Sequence, residues 1–250
     1  MNTVRGSTAS ETRMIKAIQR AVGAAEDGLI GTATMSGLAA KVGAACWPVT
    51  LRLYGMPCII ARDITACSPR AGCGAYKNSL SGSFSWQQKP ISILVSGGKV
   101  VCGDACHAWL DRPESVLYRL EDGTFGVRRC KSAGDLPEGV RWAVGGVGLG
   151  RMYDPEEEGF CAFVHNGKAY NYSDVLRKTN HTAIGVKNGL VYLVYCRSMT
   201  GAQVNAFCRD KLGLVYAIML DGGHVAAMNG EESFARINAG QTQYYMIQAV

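Results

Sequence analysis

One carboxylate stands where an apolar run meets two glycines and a histidine. Residues 217–224 run AIMLDGGH. The apolar part predicts a buried strand that delivers Asp221 to the rim of the fold. Gly222 and Gly223 allow a sharp turn whose backbone N–H groups can face an anion, and His224 follows directly. A carboxylate beside such a turn suits chemistry on a phosphorylated or glycosylated substrate, although an ordinary Asp-Gly turn after a strand has the same sequence.

The elements that must position Asp221 are mostly short strands. With 31 glycines and 7 prolines, the chain is rich in turn formers. From Trp47 onward the pattern predicts strands at 49–54, 57–62, 91–95, 99–102, 116–120, 124–128, 159–164, 182–186, 190–196, 215–220 and 242–249. Asn-Gly pairs at 166–167 and 188–189 predict two hairpins. One helix is expected over 201–213, ended by Gly213.

Composition places the chain among globular proteins. It has 250 residues, 48% hydrophobic and 18% charged, enough for one large domain or a domain with a small module. The net charge of +6 favours an anionic partner such as a phosphate, a nucleotide or an anionic polymer. The chain lacks a run of five Lys/Arg residues, so specific nucleic-acid binding is not expected. No apolar stretch reaches the roughly 18 residues of a membrane-spanning helix, so no membrane association is expected.

The ten cysteines and the first residues favour an intracellular protein. The N-terminal MNTVRGST contains no apolar core of an export signal. Several cysteines, such as Cys58, lie in apolar runs and are expected to be free thiols in a reducing cytoplasm, bacterial or phage-infected. Residues 102–107 carry two cysteines and a histidine, but their spacing lacks a clear second pair. Neither a metal nor another cofactor is therefore expected.

Residues 1–46 are expected to form a small helical module. Apolar spacing predicts a helix over 11–23, capped by Ser10 without a capping box because Arg13 takes the third position, and a second helix over 38–42. The pairs at 18–19, 27–28 and 30–31 (IQ, DG, IG), with Thr34, resemble shortened peptidoglycan-binding modules. The usual proline and third helix are missing. The resemblance implies either a wall-binding module or a plain packing element in front of a domain over 47–250.

A second series of motifs covers most of that domain. HTAIGV at 181–186 precedes a hairpin at 187–189, and LDGGH follows at 220–224. Upstream stand GAY at 74–76 and AVGG at 143–146. This order resembles the phosphodiester glycosidase family, whose members carry Asn-Gly-Gly-Phe/Tyr-Phe, a Gly-Gly turn, Arg-Thr-Ala-Ile-Gly and Asn-Leu-Asp-Gly-Gly-Gly-Ser. The resemblance spans about residues 55–250 and implies an α+β, strand-rich domain that cleaves a sugar–phosphate diester.

The chain departs from the family at three polar positions around the expected phosphate. His181 replaces the arginine and is a cation only when protonated. Cys73 is assigned to the asparagine of the first turn. His224 and Val225 replace the third glycine and the serine.

The resemblance assigns roles to the remaining motif residues. Asp221 is expected to act as acid, base or stabiliser of positive charge at the sugar carbon, with His224 as a second catalytic residue. The phosphate ligands it implies are His181, Thr182, Gly145, Gly146, Gly222 and Gly223, with Arg197 as a substitute for the missing arginine. Glycoside cleavage usually needs two carboxylates, and Asp63, Asp104 and Asp174 are candidates for the second, none marked by a motif.

Two functions of different classes follow from these assignments. The first is a hydrolase that cleaves a sugar–phosphate diester, bacterial or phage in origin and directed at the cell envelope. The alternative is a phage-type anti-defence protein that sequesters a phosphorylated small molecule, such as a cyclic nucleotide signal. Wall adhesion is a third hypothesis. The partner is in each case a phosphorylated small molecule or a glycan, and the sequence leaves the oligomeric state open, a homo-oligomer included.

Overall fold

The computed structural model describes residues 4–6, 8–31, 34, 48–67, 76–86, 89–160, 163–165, 168–170, 173–230, 236–237 and 245–250. These residues form the strand-rich α+β fold that the sequence predicts, with one helix near the N-terminus and short helices between later strands. Within these ranges, no helix is both long and apolar enough to cross a membrane.

The N-terminal elements are β1 (Val4–Arg5), α1 (Ala9–Val22) and β2 (Leu29–Ile30). The cap of α1 is Thr8, whose hydroxyl accepts the N–H of Glu11 at 3.1 Å while the Glu11 carboxylate accepts the N–H of Thr8 at 2.9 Å. The helix therefore starts two residues earlier than predicted, and the prediction of a Ser10 cap without a capping box is wrong. The earlier start puts Glu11, rather than Arg13, at the third helical position.

Gln19 holds the N-terminal elements together from inside α1. Its side chain is 1% exposed. It accepts the N–H of Gly28 at 2.9 Å and donates to the Leu29 carbonyl at 2.8 Å and to the Thr34 hydroxyl at 3.1 Å. Ile15 and other apolar residues of these elements belong to the same hydrophobic cluster as the strands that follow. This segment thus packs on the main core. The predicted helix over 38–42 lies outside the described residues.

The remaining strands are, in chain order, β3 (Val49–Leu53), β4 (Met56–Ala61), β5 (Ile64–Cys67), β6 (Ser79–Ser81), β7 (Ser85–Trp86), β8 (Lys89–Pro90), β9 (Leu94–Ser96), β10 (Lys99–Cys102), β11 (Glu114–Leu120), β12 (Phe125–Cys130), β13 (Val140–Gly148), β14 (Phe163–His165), β15 (Lys168–Tyr170), β16 (Thr179–Lys187), β17 (Leu190–Met199), β18 (Tyr216–Gly222), β19 (Met228–Asn229), β20 (Arg236–Ile237) and β21 (Met246–Ala249). The later helices are α2 (Ser173–Leu176) and α3 (Gly201–Ala206), which continues as a π-helical turn over Phe207–Lys211.

The described strands form one large sheet, one smaller antiparallel sheet and three two-stranded pairs, β1-β2, β7-β8 and β14-β15. The large sheet has the order β10-β9-β13-β18-β16-β17-β4-β3, and β11 pairs with β13 and β12. The smaller sheet has the order β20-β19-β6-β21-β5. The two Asn-Gly hairpins are confirmed by register: Lys187 pairs with Leu190, and His165 pairs with Lys168.

Side-chain alternation along β16 and β17 separates two cores. Ala183 and Val194 face one side of the large sheet, where they join Val204 and Phe207 of the helical segment. Ile184 and Leu193 face the other side, in a cluster with residues of β6 and β21. The fold therefore has three layers, helices, large sheet and small sheet, which follow from the period-two alternation of strands buried on both faces. β18 lies inside the middle layer and carries Asp221 to its end.

Candidate functional site

A β-bulge aims Asp221 away from regular strand geometry. β16 and β18 are in register from Val186 opposite Tyr216 to Ala183 opposite Met219, but His181 then lies opposite Gly222. Leu220 and Asp221 together oppose the single residue Thr182. Such an extra residue bends the strand and re-aims a side chain, and bulges are common beside active sites. The sequence-predicted strand thus delivers Asp221 to its end as expected, with an added distortion.

Thr182 closes this bulge. Its hydroxyl is fully buried and donates to the Asp221 carbonyl at 2.9 Å. It also lies 3.5 Å from the hydroxyl of Ser81, which accepts the N–H of Ala227 at 3.1 Å. Thr182 therefore links β16, β18 and the small sheet at the site. The sequence predicts that Thr182 contacts a phosphate ligand, whereas in the structure its hydroxyl contacts protein atoms.

The Asp221 carboxylate is half-buried, in a weakly polar environment. Burial raises the pKa of Asp221 to about 6, against the opposing effects of the Gly222 N–H at 2.7 Å and of the charge of His224. His224 itself is exposed and lies in the short helical turn Gly223–Val225. The structure thus brings Asp221 and His224 together, as the sequence predicts, with the carboxylate able to change protonation state close to neutral pH.

The two glycines of the motif have different reasons to be glycine. Gly223 has a φ of 68°, the left-handed region, and makes the turn. Gly222 is extended, and a Cβ there would lie 2.7 Å from the Asn180 carbonyl oxygen and 2.8 Å from Nδ1 of His181. Gly222 therefore makes room for the His181 ring, while Gly223 supplies the turn.

His181 lies beside the site but below its surface. Its ring is 1% exposed, and Nε2 is 3.0 Å from the Arg177 carbonyl, to which it donates. Burial lowers the pKa of His181, which the carbonyls of Arg177 and Met199 oppose. A neutral, buried ring of this kind is a weak replacement for an arginine that binds phosphate.

Gly145 and Gly146 do not form the predicted turn, which is a correction to the sequence analysis. Both lie inside β13, opposite Val116 and Ser115 of β11. A Cβ on Gly145 would overlap the Glu114 carboxylate, and one on Gly146 would overlap the Met219 carbonyl. The glycines therefore permit close packing of strands and a buried acid, and they sit in a ladder where their backbone groups are already bonded.

Three candidates for a second carboxylate occupy other places. Asp63 pairs with Arg119 and Arg141 and accepts the indole N–H of Trp142 at 2.7 Å, a structural cluster. Asp104 forms an isolated bridge with Ser132. The Asp174 side chain lies outside the described part of the chain. Arg197, the predicted substitute for the family arginine, does not lie on a strand next to Asp221. It is exposed near the end of β17, and β16 separates that strand from β18.

Sequence reasoning missed two buried acids, Glu114 and Glu158. Both are 0% exposed. Burial raises the pKa of Glu114 to about 8 and that of Glu158 to about 7. Glu158 accepts the N–H of Gly148 at 2.9 Å and the hydroxyl of Ser115. Glu114 lies two residues before buried Val116 on β11 and so shares its face of the strand, which is a sign of burial that the sequence contains. No motif marks Glu114.

The segment at 102–107 supplies buried groups near these acids. Burial raises the pKa of the Cys106 thiol, and so do the charges of Glu114 and Asp221. His107 is 1% exposed and packs edge-on against Phe160 at 4.7 Å, and burial lowers its pKa to about 4. Across the described ranges, no three His, Cys, Asp or Glu side chains converge as metal ligands.

The layered fold that carries Asp221 at the end of β18 is similar to that of a solved catalytic domain. The catalytic domain of zebrafish N-acetylglucosamine-1-phosphodiester alpha-N-acetylglucosaminidase, auto-inhibited by its pro-peptide, has a similar fold. The TM-score is 0.59 at 16% identity, and the match covers 81% of either chain. A hypothetical protein from Synechocystis aligns with a TM-score of 0.47 at 12% identity, over 80% of this chain and 61% of that one.

Sequence comparison gives the family directly. Residues 79–244, well over half of the chain, match the phosphodiester glycosidase family. The chain belongs to the phosphodiester glycosidase family. No curated protein matches it in sequence.

The first turn of the site has one untested and one described candidate. Cys73, assigned to the asparagine of that turn, lies outside the described residues, so this assignment stays a prediction. Ser81 ends β6, and its hydroxyl is 3.5 Å from that of Thr182, which donates to the Asp221 carbonyl. Residues 81–84 therefore begin beside the Asp221 bulge.

Proposed function

We propose that the protein hydrolyses a sugar–phosphate diester at the bond between the anomeric carbon and the phosphate oxygen. Family membership supports the reaction class. The observation that carries the proposal is Asp221, which is aimed by a bulge, half-buried, and has a pKa raised to about 6. A partly enclosed carboxylate with a perturbed pKa in a family motif is a candidate for catalysis.

The chemistry requires little from a general acid. A phosphate monoester is a good leaving group and departs with its bridging oxygen, so the charge that builds up is positive and lies on the sugar. The ionised form of Asp221 can stabilise that charge. Water adds its oxygen to the anomeric carbon and gives up a proton to the carboxylate or the solvent. We expect His224, which is exposed, and the backbone of the Gly223 turn to contact the phosphate.

Substitution of Asp221 tests this proposal. We expect Asp221→Asn to lower kcat by roughly 100-fold or more, the scale of losing a positioned catalytic group, on an N-acetylglucosamine 1-phosphodiester probe. Asp210→Asn is the control, because Asp210 is exposed and pairs with its neighbour Arg209. Thermal unfolding of both variants reports that the fold is intact. Undiminished hydrolysis by a folded Asp221→Asn protein rules out the assignment.

A second candidate function is sequestration of a phosphorylated small molecule. The observation that favours it is His181: where the family has a permanently charged arginine, this chain has a buried ring with a lowered pKa. Such a site can keep a ligand without reacting. Incubation with cyclic dinucleotides and sugar phosphodiesters, followed by denaturation, separates the two functions, because a sequestering protein releases intact ligand and a hydrolase releases products.

The origin of the protein and the source of its substrate are part of the same proposal. An envelope glycan with phosphodiester links would suit a bacterial or phage hydrolase, and a nucleotide signal would suit a phage protein in the cytoplasm of its host. The net charge of +6 supports an anionic ligand in both cases. Binding to purified cell wall by the full chain tests whether residues 1–46 add a wall-binding function.

A further inference from the structure

A fully buried carboxyl group lies at one end of a hydroxyl chain. Glu114, the first residue of β11, accepts the N–H of Ile93 at 2.5 Å and the N–H of Cys106 at 3.2 Å. It also contacts the hydroxyl of Ser92 at 2.9 Å. The Ser92 hydroxyl is in turn 3.1 Å from that of Ser83. All three members of the chain, Glu114, Ser92 and Ser83, are buried.

The other end of this chain lies in the turn beside Asp221. Ser83 follows Ser81 by two residues, and the Ser81 hydroxyl is 3.5 Å from that of Thr182, the residue that closes the Asp221 bulge. The Ser83 N–H donates to the Tyr245 phenol at 2.8 Å, and the Ser83 side chain also hydrogen-bonds with that phenol. The Ser83 hydroxyl therefore lies between two partners, the Ser92 hydroxyl on the side of Glu114 and the Tyr245 phenol on the other side.

The direction of the hydroxyl chain depends on one proton. When Glu114 is ionised, it accepts from Ser92, and Ser92 accepts from Ser83. When Glu114 is protonated, its O–H needs an acceptor, and of its three polar neighbours only the Ser92 oxygen can accept, because the other two are backbone N–H groups. Ser92 then donates to Ser83, and the Ser83 proton turns away from the chain.

We propose that Glu114 is a positioning residue of the Asp221 site, acting through Ser92 on the Ser83 hydroxyl and so on the hydrogen bonding of the 82–84 turn. Its effect on catalysis rests on the proposed hydrolysis, whereas the direction of the chain does not. Gly145 leaves the space that Glu114 needs, since a side chain at this position of β13 would occupy the place of the Glu114 carboxylate.

The other titratable groups around Glu114 change charge in a different range. Burial raises the pKa of Cys106, of Cys130 (to about 11), of Cys102 and of Tyr245, so these groups stay neutral near pH 8. Among the described residues, two further acids near this chain change charge below pH 8. The pKa of Glu158 is raised to about 7, and its charge adds to the raised pKa of Glu114, about 8. The pKa of Asp221, whose charge acts on Cys106, is raised to about 6. Glu158 is closest in pKa to Glu114 and is the group from which Glu114 must be distinguished.

Amide chemical shifts of the turn test the inference on the whole protein, without a substrate. We expect the ¹H–¹⁵N signals of Gly82 and Ser83 to shift with a midpoint near pH 8. Glu114→Gln, which holds the chain in the direction of the protonated form, abolishes this shift. Ser92→Ala, which removes only the link, abolishes it at Ser83. Glu158→Gln is the matched control, an equally buried acid outside the chain, and retains the shift.

Other outcomes overturn the inference. Turn amides that do not respond to pH, or that respond equally in Ser92→Ala, show that Glu114 is not linked to the turn. Loss of the response in Glu158→Gln assigns it to Glu158. If Glu114→Gln does not fold, Ser92→Ala alone decides. Where the wild type hydrolyses the probe, we expect Ser92→Ala to lower kcat roughly tenfold with KM unchanged. A wild type without turnover ends the proposed function but leaves the shift measurement valid.

Discussion

Asp221 is half-buried, and its carboxylate accepts the backbone N–H of Gly222 at 2.7 Å. Desolvation therefore dominates its pKa, which rises to about 6. The apolar run before Asp221 predicts a buried strand, and the glycines after it predict a turn. The sequence does not predict the pKa of Asp221, because this pKa depends on how far the neighbouring strands enclose the carboxylate.

The pKa of Asp221 predicts a pH profile for hydrolysis. If the ionised carboxylate stabilises the sugar cation, kcat/KM rises with pH and levels off above about pH 6. The sign follows because the active form is the deprotonated one. Initial rates between pH 4.5 and 7.5, measured on the wild type and on His224→Gln, check it. Activity that falls through this range would instead make Asp221 a general acid.

Glu114 and Glu158 show what residue-level reading of a sequence misses. Glu114 precedes Ser-Val-Leu and Glu158 ends a run of three glutamates, neither of them in a motif, and only the fold shows that both are fully buried. Gly145 is an indirect marker of Glu114: a glycine in the middle of a nine-residue strand implies something packed over it, but not what. The interpretation of this glycine as part of a turn was wrong, because it lies inside β13, and its assignment as a phosphate ligand stays an untested prediction.

At the scale of elements, the bulge between β16 and β18 is the feature that makes the site. It depends on one hydroxyl, since Thr182 satisfies the Asp221 carbonyl from a fully buried position. The family motif predicted the neighbourhood of these strands but not the extra residue. Register shifts of this kind arise from competition among side chains on both faces, which local pattern does not resolve.

Replacement of Thr182 tests the bulge. Thr182→Val keeps the shape but leaves the Asp221 carbonyl without its donor, so we expect kcat to fall roughly tenfold and the unfolding free energy to fall by about 1–3 kcal/mol. Thr182→Ser restores the donor and should recover most of both. Thr179→Val, on the same strand outside the bulge, serves as the control. If valine and serine behave alike, the hydroxyl does not position Asp221.

The N-terminal helix belongs to the same core as the large sheet. Ile15 is 2% exposed and shares a cluster with Leu51, Leu53 and Tyr192. We expect Ile15→Ala to lower the unfolding free energy of the whole chain by about 2–4 kcal/mol in a single transition, while Lys16→Ala, at an exposed position, leaves it nearly unchanged. Urea unfolding followed by tryptophan fluorescence measures both. A separate early transition for Ile15→Ala would instead indicate an autonomous module.

At the scale of the whole molecule, the buried acids set the pH dependence of stability. The pKa values of Glu158 and Glu114 rise to about 7 and about 8 in the folded state, above their unfolded values near 4.5. The folded state therefore binds more protons at these two groups between these limits, and the stability that they contribute is fully present below about pH 4.5 and is lost as the pH rises to about 8. The sequence gives no sign of this, because unpaired surface acids would give the opposite trend or none.

Glu158→Gln should remove part of that loss. We expect the unfolding free energy of the variant to fall less steeply between pH 5 and pH 8 than that of the wild type, because the amide carries no proton to release. Glu157→Gln is the matched control, since Glu157 is the exposed neighbour that pairs with Arg129. Equal slopes for the wild type and Glu158→Gln would show that Glu158 is ionised in the fold at all these pH values.

The general architecture was predictable from the sequence, and the ordering of its layers was not. Alternation, Asn-Gly hairpins and the family motifs predicted a strand-rich domain, and β16, β17 and β18 lie close to where they were expected. The glycines of β13 were interpreted as a turn because an adjacent Gly-Gly pair is typical of turns. In the structure this pair lies in a strand that is buried over most of its length. Pairings such as β13 with β18 join segments about 70 residues apart, which no local pattern specifies.

The most direct test of the central claim follows the oxygen of water. The protein is incubated with an N-acetylglucosamine 1-phosphodiester in ¹⁸O-water, and the products are followed by ³¹P NMR and by mass spectrometry. Cleavage at the sugar carbon predicts a phosphate monoester without ¹⁸O and a sugar that carries it, in the wild type and not in Asp221→Asn. Label in the phosphate would show attack at phosphorus, and intact diester recovered after denaturation would show a binding protein; either result would contradict the proposed hydrolysis.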